Sequence, residues 1–269
     1  MLAMTPNDGP CPGQSGLALT ALITCFNESA YIAATIDTVV ETLRQSGHSY
    51  EIVVVDDRSR DDSVDVIRKA MAKYSQEPIR LYVNPQNRGL ANNMVDGAFY
   101  AQGRYFRLIC GDSSEPVDTT LRLLRHLGQA DLILPYYRQS DIKGRSLTRK
   151  TISRLYTWIV NTLSGQHVHY YNGCPVFLTH DVRRYPPVTF GFGFQADLVT
   201  RLLDEDRRFM QVPIGTVIER KGPDSTALCM RNLLSVVHTF LEILFRRIRR
   251  LIYHRELPKA VEIFPEAKR

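Results

Sequence analysis

Three short apolar runs in the first half of the chain end on side chains that can hold a ligand. Asn27 and Glu28 follow the run 17–26, Asp56 and Asp57 follow 51–55, and Asp112 follows 105–110. Carboxylates in such places accept hydrogen bonds from the N–H edge of a base and from ribose hydroxyls. A further carboxylate can hold a divalent cation against a diphosphate. Any one of these acids is also an ordinary helix cap or a solvated turn; it is their recurrence at successive run ends that points to one crevice. A second group is cationic. Arg138, Lys143, Arg145, Arg149, Lys150 and Arg154 fall within seventeen residues. A solvated loop and helix face explain such a run, and so does a phosphate site, since guanidinium forks suit bidentate phosphate contact. The third group is Arg246, Arg247, Arg249 and Arg250, beside a wide apolar stripe over 233–252. That pattern fits either a helix packed on the core or a helix lying on anionic lipid.

The elements that position these groups follow from periodicity. Runs 17–26, 51–55, 79–83 and 105–110 are short, apolar and rich in β-branched residues, as buried strands are. Between them, 29–44, 63–74 and 90–101 carry apolar residues at helical spacing, with Gly47 closing the first and Asp61 or Asp62 capping the second. Asn87-Arg88-Gly89 reads as a turn. The alternation predicts an α/β fold with a mostly parallel sheet and helices on both faces, whose ligand sits off the carboxyl ends of the strands. Farther on the pattern predicts helices over 119–127, 151–163 and 196–203, strands over 130–134 and 209–213, a basic loop over 138–150, and an amphipathic helix from Leu228.

Composition narrows the classes. The chain has 269 residues, 44% hydrophobic and 23% charged, which excludes collagen, coiled coil or wholesale disorder. Five cysteines without a CxxC argue against a disulfide framework or a cysteine zinc site and fit a reducing compartment. The net charge of +6 comes without a basic stripe interleaved with aromatics, so nucleic acid is not an expected partner. No P-loop or GxSxG is present. Gly191 to Ala196 fits GxGxxA but lacks the strand–turn–helix setting of a dinucleotide fold. His167 and His169 would share one face of a strand, with no third metal ligand nearby. Residues 1–16 read as a disordered arm without the basic start of a secretory signal, and no apolar run is long enough to span a bilayer.

The order of motifs carries a resemblance. TCFNES, VVVDDRSRDDS, NPQNRGLANN and LICGDSSEP resemble successive motifs of family 2 glycosyltransferases of the GT-A fold. GFGFQADL, VPIGTVIERKGPDST and SLTRKTIS resemble segments of the dolichyl- and polyprenyl-phosphate sugar synthases within that family. The resemblance implies a GT-A-like domain over 17–227, followed by a membrane-proximal amphipathic helix and tail over 228–269. It implies transfer, with inversion, of a sugar from a UDP- or GDP-sugar to a lipid phosphate such as polyprenyl phosphate. The alternatives are transfer to a saccharide hydroxyl, or a catalytically inactive nucleotide-binding partner subunit.

Carried over by position, the resemblance gives Asn27, Glu28, Asp56, Asp57, Arg88 and Gly89 to the donor nucleotide. It gives Asp112 to a divalent metal, Mg²⁺ or Mn²⁺, and to catalysis. Asp197 falls near the reacting sugar, and Arg138, Arg149 and Arg154 fall at the acceptor phosphate. One departure stands out: the first acid of the family's DxD is here Cys110, a soft ligand ill suited to Mg²⁺ or Mn²⁺, which leaves Asp112 with nucleotide phosphates and water to complete the metal's shell. A lipid acceptor implies a cytoplasmic protein held peripherally on the inner face of an anionic membrane.

Overall fold

The structure, a computed structural model, describes residues 16–115, 117–137, 147–186, 191, 193–205, 207–215, 230–253 and 260–264. Its centre is a sheet in the order β3-β2-β1-β4-β6-β5-β7-β8. The first four strands are β1 (Leu19–Cys25), β2 (Tyr50–Asp56), β3 (Ile79–Val83) and β4 (Tyr105–Cys110). The others are β5 (Leu132–Tyr137), β6 (Val176–Leu178), β7 (Arg208–Ile214) and β8 (Val261–Glu262). All neighbours are parallel except β6, which runs antiparallel to both β4 and β5. This is the expected mostly parallel, doubly covered α/β sheet.

Helices α1 (Ile32–Ser46), α2 (Ser63–Lys73) and α4 (Val117–Leu124) cover one face. Helices α3 (Leu90–Tyr100), α5 (Leu147–Ser164), α6 (Thr179–Arg184), α7 (Phe194–Leu203) and α8 (Met230–Tyr253) cover the other. Alternate strand residues feed the two cores: Leu19, Ala21 and Ile23 face one, and Leu22 faces the other. Burial on both sides is why the strands read as continuous apolar runs. In α1 the residues Ile32, Ile36, Val39, Val40 and Leu43 are buried, each worth about 1.5–3 kcal/mol against exposure. The helix stops at Gly47, whose φ of 70° is the left-handed cap that glycine adopts without strain.

Three elements were not legible. The three residues of β6, the six of α6 and the two of β8 are too short to show a period. The segment holding His167 and His169 is a loop and not a strand. Helix α5 begins at Leu147, so part of the expected basic loop is helical. Residues 138–146, 216–229 and the arm over 1–15 lie outside the described residues.

Candidate functional site

The register aligns the strand ends. Thr24 of β1 pairs with Val55 of β2 and with Cys110 of β4, and Cys25 pairs with Asp56. Directly beyond this row the backbone takes positive φ at Asn27 (56°), Arg58 (65°) and Ser113 (55°), the only non-glycine residues to do so among the described residues. Left-handed backbone in side-chain-bearing residues is uncommon and gathers at functional sites. Here it falls once after each of the three central parallel strands, where such sheets bind ligands.

The acids expected on the donor side are engaged in shaping this rim. Asp56 is fully buried and accepts the Ser59 backbone N–H at 3.0 Å and the Ser59 hydroxyl at 2.5 Å. Ser59 Oγ in turn accepts the Asn27 N–H at 2.9 Å, and Asn27 Oδ1 accepts the Arg60 N–H at 2.8 Å. Glu28 N–H donates to Ser63 Oγ at 3.0 Å. These bonds join the loops after β1 and β2 into one rim. Asp61 fastens it from outside, accepting from Ser63 and from the Ser29 N–H. Burial pushes its carboxyl up, and those hydrogen bonds outweigh burial and bring it down to about 2.

Asp57 is buried, and its carboxylate accepts from Asn84 Nδ2 at 2.9 Å, the Arg88 N–H at 2.7 Å and the Gly89 N–H at 2.8 Å. Three of about four acceptor positions are thereby used. The carboxylate sets the turn that starts α3, where Gly89 sits at φ 80° and a negative charge suits the helix end. The Arg88 guanidinium pairs with Asp96 at 2.5 Å.

Asp112 is half-buried, and its Oδ1 accepts the Ser114 N–H at 3.0 Å. Behind it the loop is anchored by Arg107, a buried arginine of β4. Arg107 donates to Thr120 Oγ1 at 2.7 Å and pairs with Glu115 at 2.6 Å. No preformed cluster of three or more metal-ligating side chains exists among the described residues. A single hard carboxylate with acceptor capacity left fits a cation that arrives with a diphosphate. At the missing acid position, the neighbouring Cys174 thiol, just ahead of β6, followed by burial, holds the Cys110 thiol well above its usual range.

Asp197 is not brought to this crevice. It is fully buried, and Arg246 of α8 holds it at 2.6 Å and Arg201 at 3.5 Å. Two positions earlier on α7, about 200° around the helix, Gln195 Nε2 lies 3.9 Å from Cys174 Sγ. Helix α7 therefore presents Gln195 toward the Cys110 side and Asp197 toward α8. The QxE-like spacing was visible in the sequence; which face it would turn was not.

The cationic group yields a pocket of about 350 Å³ off the end of β5. Tyr137 forms one wall, Lys150, Ser153, Arg154, Thr157, Trp158 and Asn161 of α5 another, and Val168, His169 and Tyr170 a third. The third wall is held in place. Asn161 bonds both backbone groups of Val168, and the His169 N–H donates to Gln211 at 2.7 Å. The His169 and Tyr170 rings lie against Tyr136 and Tyr137, at 4.7 and 5.3 Å between centroids. Arg154 is thus placed in the pocket; Arg138 and the side chain of Arg149 lie outside the described residues. His169, dismissed above as a metal ligand, and Trp158 of the helix expected over 151–163 are pocket residues. Neither could be recognised without the loop that joins them.

Beside the pocket α5 exposes Ile152, Leu155 and Trp158, the last at 64%. Helix α8, packed on α5 and α7 with Ile243 in the core, exposes Leu234, Val237, Leu241, Phe245, Ile248 and Ile252. The α8 arginines correct an expectation. Arg246 binds Asp197, Asp204 and Thr200, Arg247 binds the Ser164 carbonyl, and Arg250 binds Asp204. Three of the four arginines clamp α8 to its neighbours, and Arg249 is exposed. Among the described residues no helix is long and apolar enough to cross a membrane.

The family described as Glycosyl transferase family 2 matches residues 20–183. The chain is 27% identical over 156 residues to an undecaprenyl-phosphate 4-deoxy-4-formamido-L-arabinose transferase of Aeromonas hydrophila, covering 58% of this chain and 47% of that one. It is 25% identical over 101 residues to a dolichyl-phosphate beta-glucosyltransferase of Dictyostelium discoideum, covering 36% and 31%. The chain thus spans about half or less of these curated relatives. Among solved structures it resembles glucosyl-3-phosphoglycerate synthase from Mycobacterium tuberculosis in complex with Mn²⁺, UDP and glucosyl-3-phosphoglycerate. The TM-score is 0.65 at 17% identity, over 86% of this chain and 81% of that one. The fold is therefore the GT-A-like one expected.

Proposed function

The chain belongs to glycosyl transferase family 2, whose match covers more than half of it, and on that premise we propose that it moves a sugar from a nucleoside-diphosphate sugar to a lipid phosphate. One observation carries the acceptor half: a pocket with Lys150 and Arg154 among aromatic walls opens beside the exposed apolar residues of α5. That pairing suits a molecule that is a phosphate at one end and hydrocarbon at the other. The curated relatives named for undecaprenyl and dolichyl phosphate support the same class.

The donor lies across the ends of β1, β2 and β4. Asp56 and Asp57 hold the rim, and the backbone groups of 27–28 and 88–89 approach the nucleoside. Asp112 is the residue that would hold Mg²⁺ or Mn²⁺, and the solved relative holds Mn²⁺ with UDP in the same fold. The metal, when bound, neutralises charge on the leaving diphosphate. Lys150 and Arg154 grip the acceptor phosphate and orient its oxygen, which is already ionised near neutral pH. Transfer then proceeds by attack on the anomeric carbon from the face opposite the diphosphate, with inversion.

The exposed stripe of α8, together with Ile152, Leu155 and Trp158 of α5, suits an interfacial surface that lays the molecule on a bilayer. This supports a peripheral protein on the membrane leaflet that presents the acceptor.

Incubation with radiolabelled UDP- and GDP-sugars tests the proposal, using polyprenyl phosphate or free saccharides as acceptor with Mg²⁺ or Mn²⁺. Label entering an organic-extractable, acid-labile product only with polyprenyl phosphate is the expected result. Label on saccharides alone, or nucleotide binding without transfer to any acceptor, would overturn it.

A further inference from the structure

Cys110 ends β4 and is two residues ahead of Asp112. Cys174 stands two residues ahead of β6, which runs antiparallel beside β4. The end of one strand and the approach to the other therefore meet at the same edge of the sheet. Both thiols are free and half-buried, and both lie on the α7 face of the sheet, Cys110 by alternation from Leu108 in the α7-side core and Cys174 by its approach to Gln195. Gln195 Nε2 approaches Cys174 Sγ from α7. Cys25, by contrast, is buried. The surroundings leave the Cys110 loop little slack. A Cβ on Gly111 would stand 2.7 Å from the Thr24 carbonyl oxygen, and the Ser113 backbone is already left-handed.

We infer that Cys110 and Cys174 form an oxidisable thiol pair that closes to a disulfide and disables the Asp112 loop. A hydroperoxide is the oxidant class. The Cys174 sulfur attacks the peroxide oxygen, the O–O bond breaks, and Cys174 becomes a sulfenic acid as the other oxygen leaves as water or alcohol. The Cys110 sulfur then attacks the Cys174 sulfur. The S–S bond forms, the S–O bond breaks, and the hydroxyl leaves as water with the Cys110 proton. Two electrons pass from the sulfurs to the peroxide, and a dithiol restores the pair by exchange. Closing the bond draws Cys110 toward β6 and carries Gly111 and Asp112 with it, away from the position that serves the diphosphate and its metal.

This rests on the donor reading of Asp112, and the experiment separates the two. The full chain is treated with hydrogen peroxide and digested without reduction. UDP and GDP affinity with Mn²⁺ is measured by calorimetry before and after treatment, and again after dithiothreitol. The expected result is a linked Cys110–Cys174 peptide, at least a tenfold loss of affinity, and recovery with dithiothreitol. Cys174→Ser and Cys174→Ala should bind nucleotide as wild type does and ignore peroxide. Absence of the linked peptide in a reduced protein that binds nucleotide normally would overturn the pair. A linked peptide with unchanged affinity would overturn its effect on the loop. Failure of the reduced protein to bind any nucleotide would instead overturn the donor reading, while the linked peptide still reports the pair.

Discussion

Side chains of one type do different work in this site, and burial sorts them. Asp57 spends three acceptor positions on Asn84, Arg88 and Gly89. Asp57→Ala therefore costs about 3 kcal/mol or more by leaving those donors unpaired, seen as a lower urea midpoint along with weaker nucleotide binding. Asp112, half-buried and bound by one backbone N–H, has acceptor capacity left for a cation. Asp112→Ala should leave the urea midpoint near wild type and abolish the Mn²⁺ dependence of UDP or GDP affinity in calorimetry. Asp197, fully buried and paired with Arg246, is placed as a structural acid would be. Arg246→Gln removes the nearer of two arginines from a fully buried carboxylate, leaving Arg201, and should cost about 1.5–3 kcal/mol, whereas Arg249→Gln should be silent. A turnover loss in Asp197→Asn at unchanged stability would restore it to catalysis. The sequence named Asp56, Asp57 and Asp112 because their places at strand ends are local facts. It could not give the partners of Asp197 or find Gln195, because which side of α7 packs against α8 is decided by long-range contacts.

At the scale of elements, α5 and α8 act as a unit. One side of the pair is core, with Val160 and Ile243 buried. The other side is the apolar surface next to the pocket. The α8 arginines looked like membrane contacts in the sequence because a run of four cations is indistinguishable from a lipid-facing patch until the helix phase is known. In the structure three of the four are clamps, so the proposed docking would rest on apolar area. Trp158→Asp combined with Leu241→Asp should abolish flotation with liposomes, and unchanged circular dichroism would show that the fold is intact. Flotation that survives the double substitution but fails in Arg249→Gln would return docking to charge. Strand β6 shows the other limit of legibility. Three residues carry no period, yet this strand reverses direction between β4 and β5 and delivers Cys174 to the rim.

For the whole molecule, the two cores and the strand order explain why the crevice and the pocket share one side: β1, β2, β4 and β5 all end there, and β6 begins there. The alternation of strands and helices made this legible over 17–110; beyond it short elements and loops hid the acceptor side. Stability should have two edges in pH. Asp61 is lowered in the fold to about 2, so its contribution is full above the unfolded value near 4 and is lost as pH falls toward 2. Tyr50, raised to about 12 by burial and its hydrogen bond to Glu77, contributes below pH 10 and loses that contribution as pH rises toward 12. Urea midpoints against pH should flatten at the acid edge in Asp61→Asn and at the alkaline edge in Tyr50→Phe. The central claim, that donor and acceptor occupy separate sites joined at the strand ends, is tested most directly by transfer kinetics of Arg154→Ala with polyprenyl phosphate. The account predicts an acceptor KM raised roughly tenfold to hundredfold, as loss of a charged hydrogen bond gives, with nucleotide Kd unchanged. An unchanged acceptor KM, or an equal loss of nucleotide affinity, would contradict it.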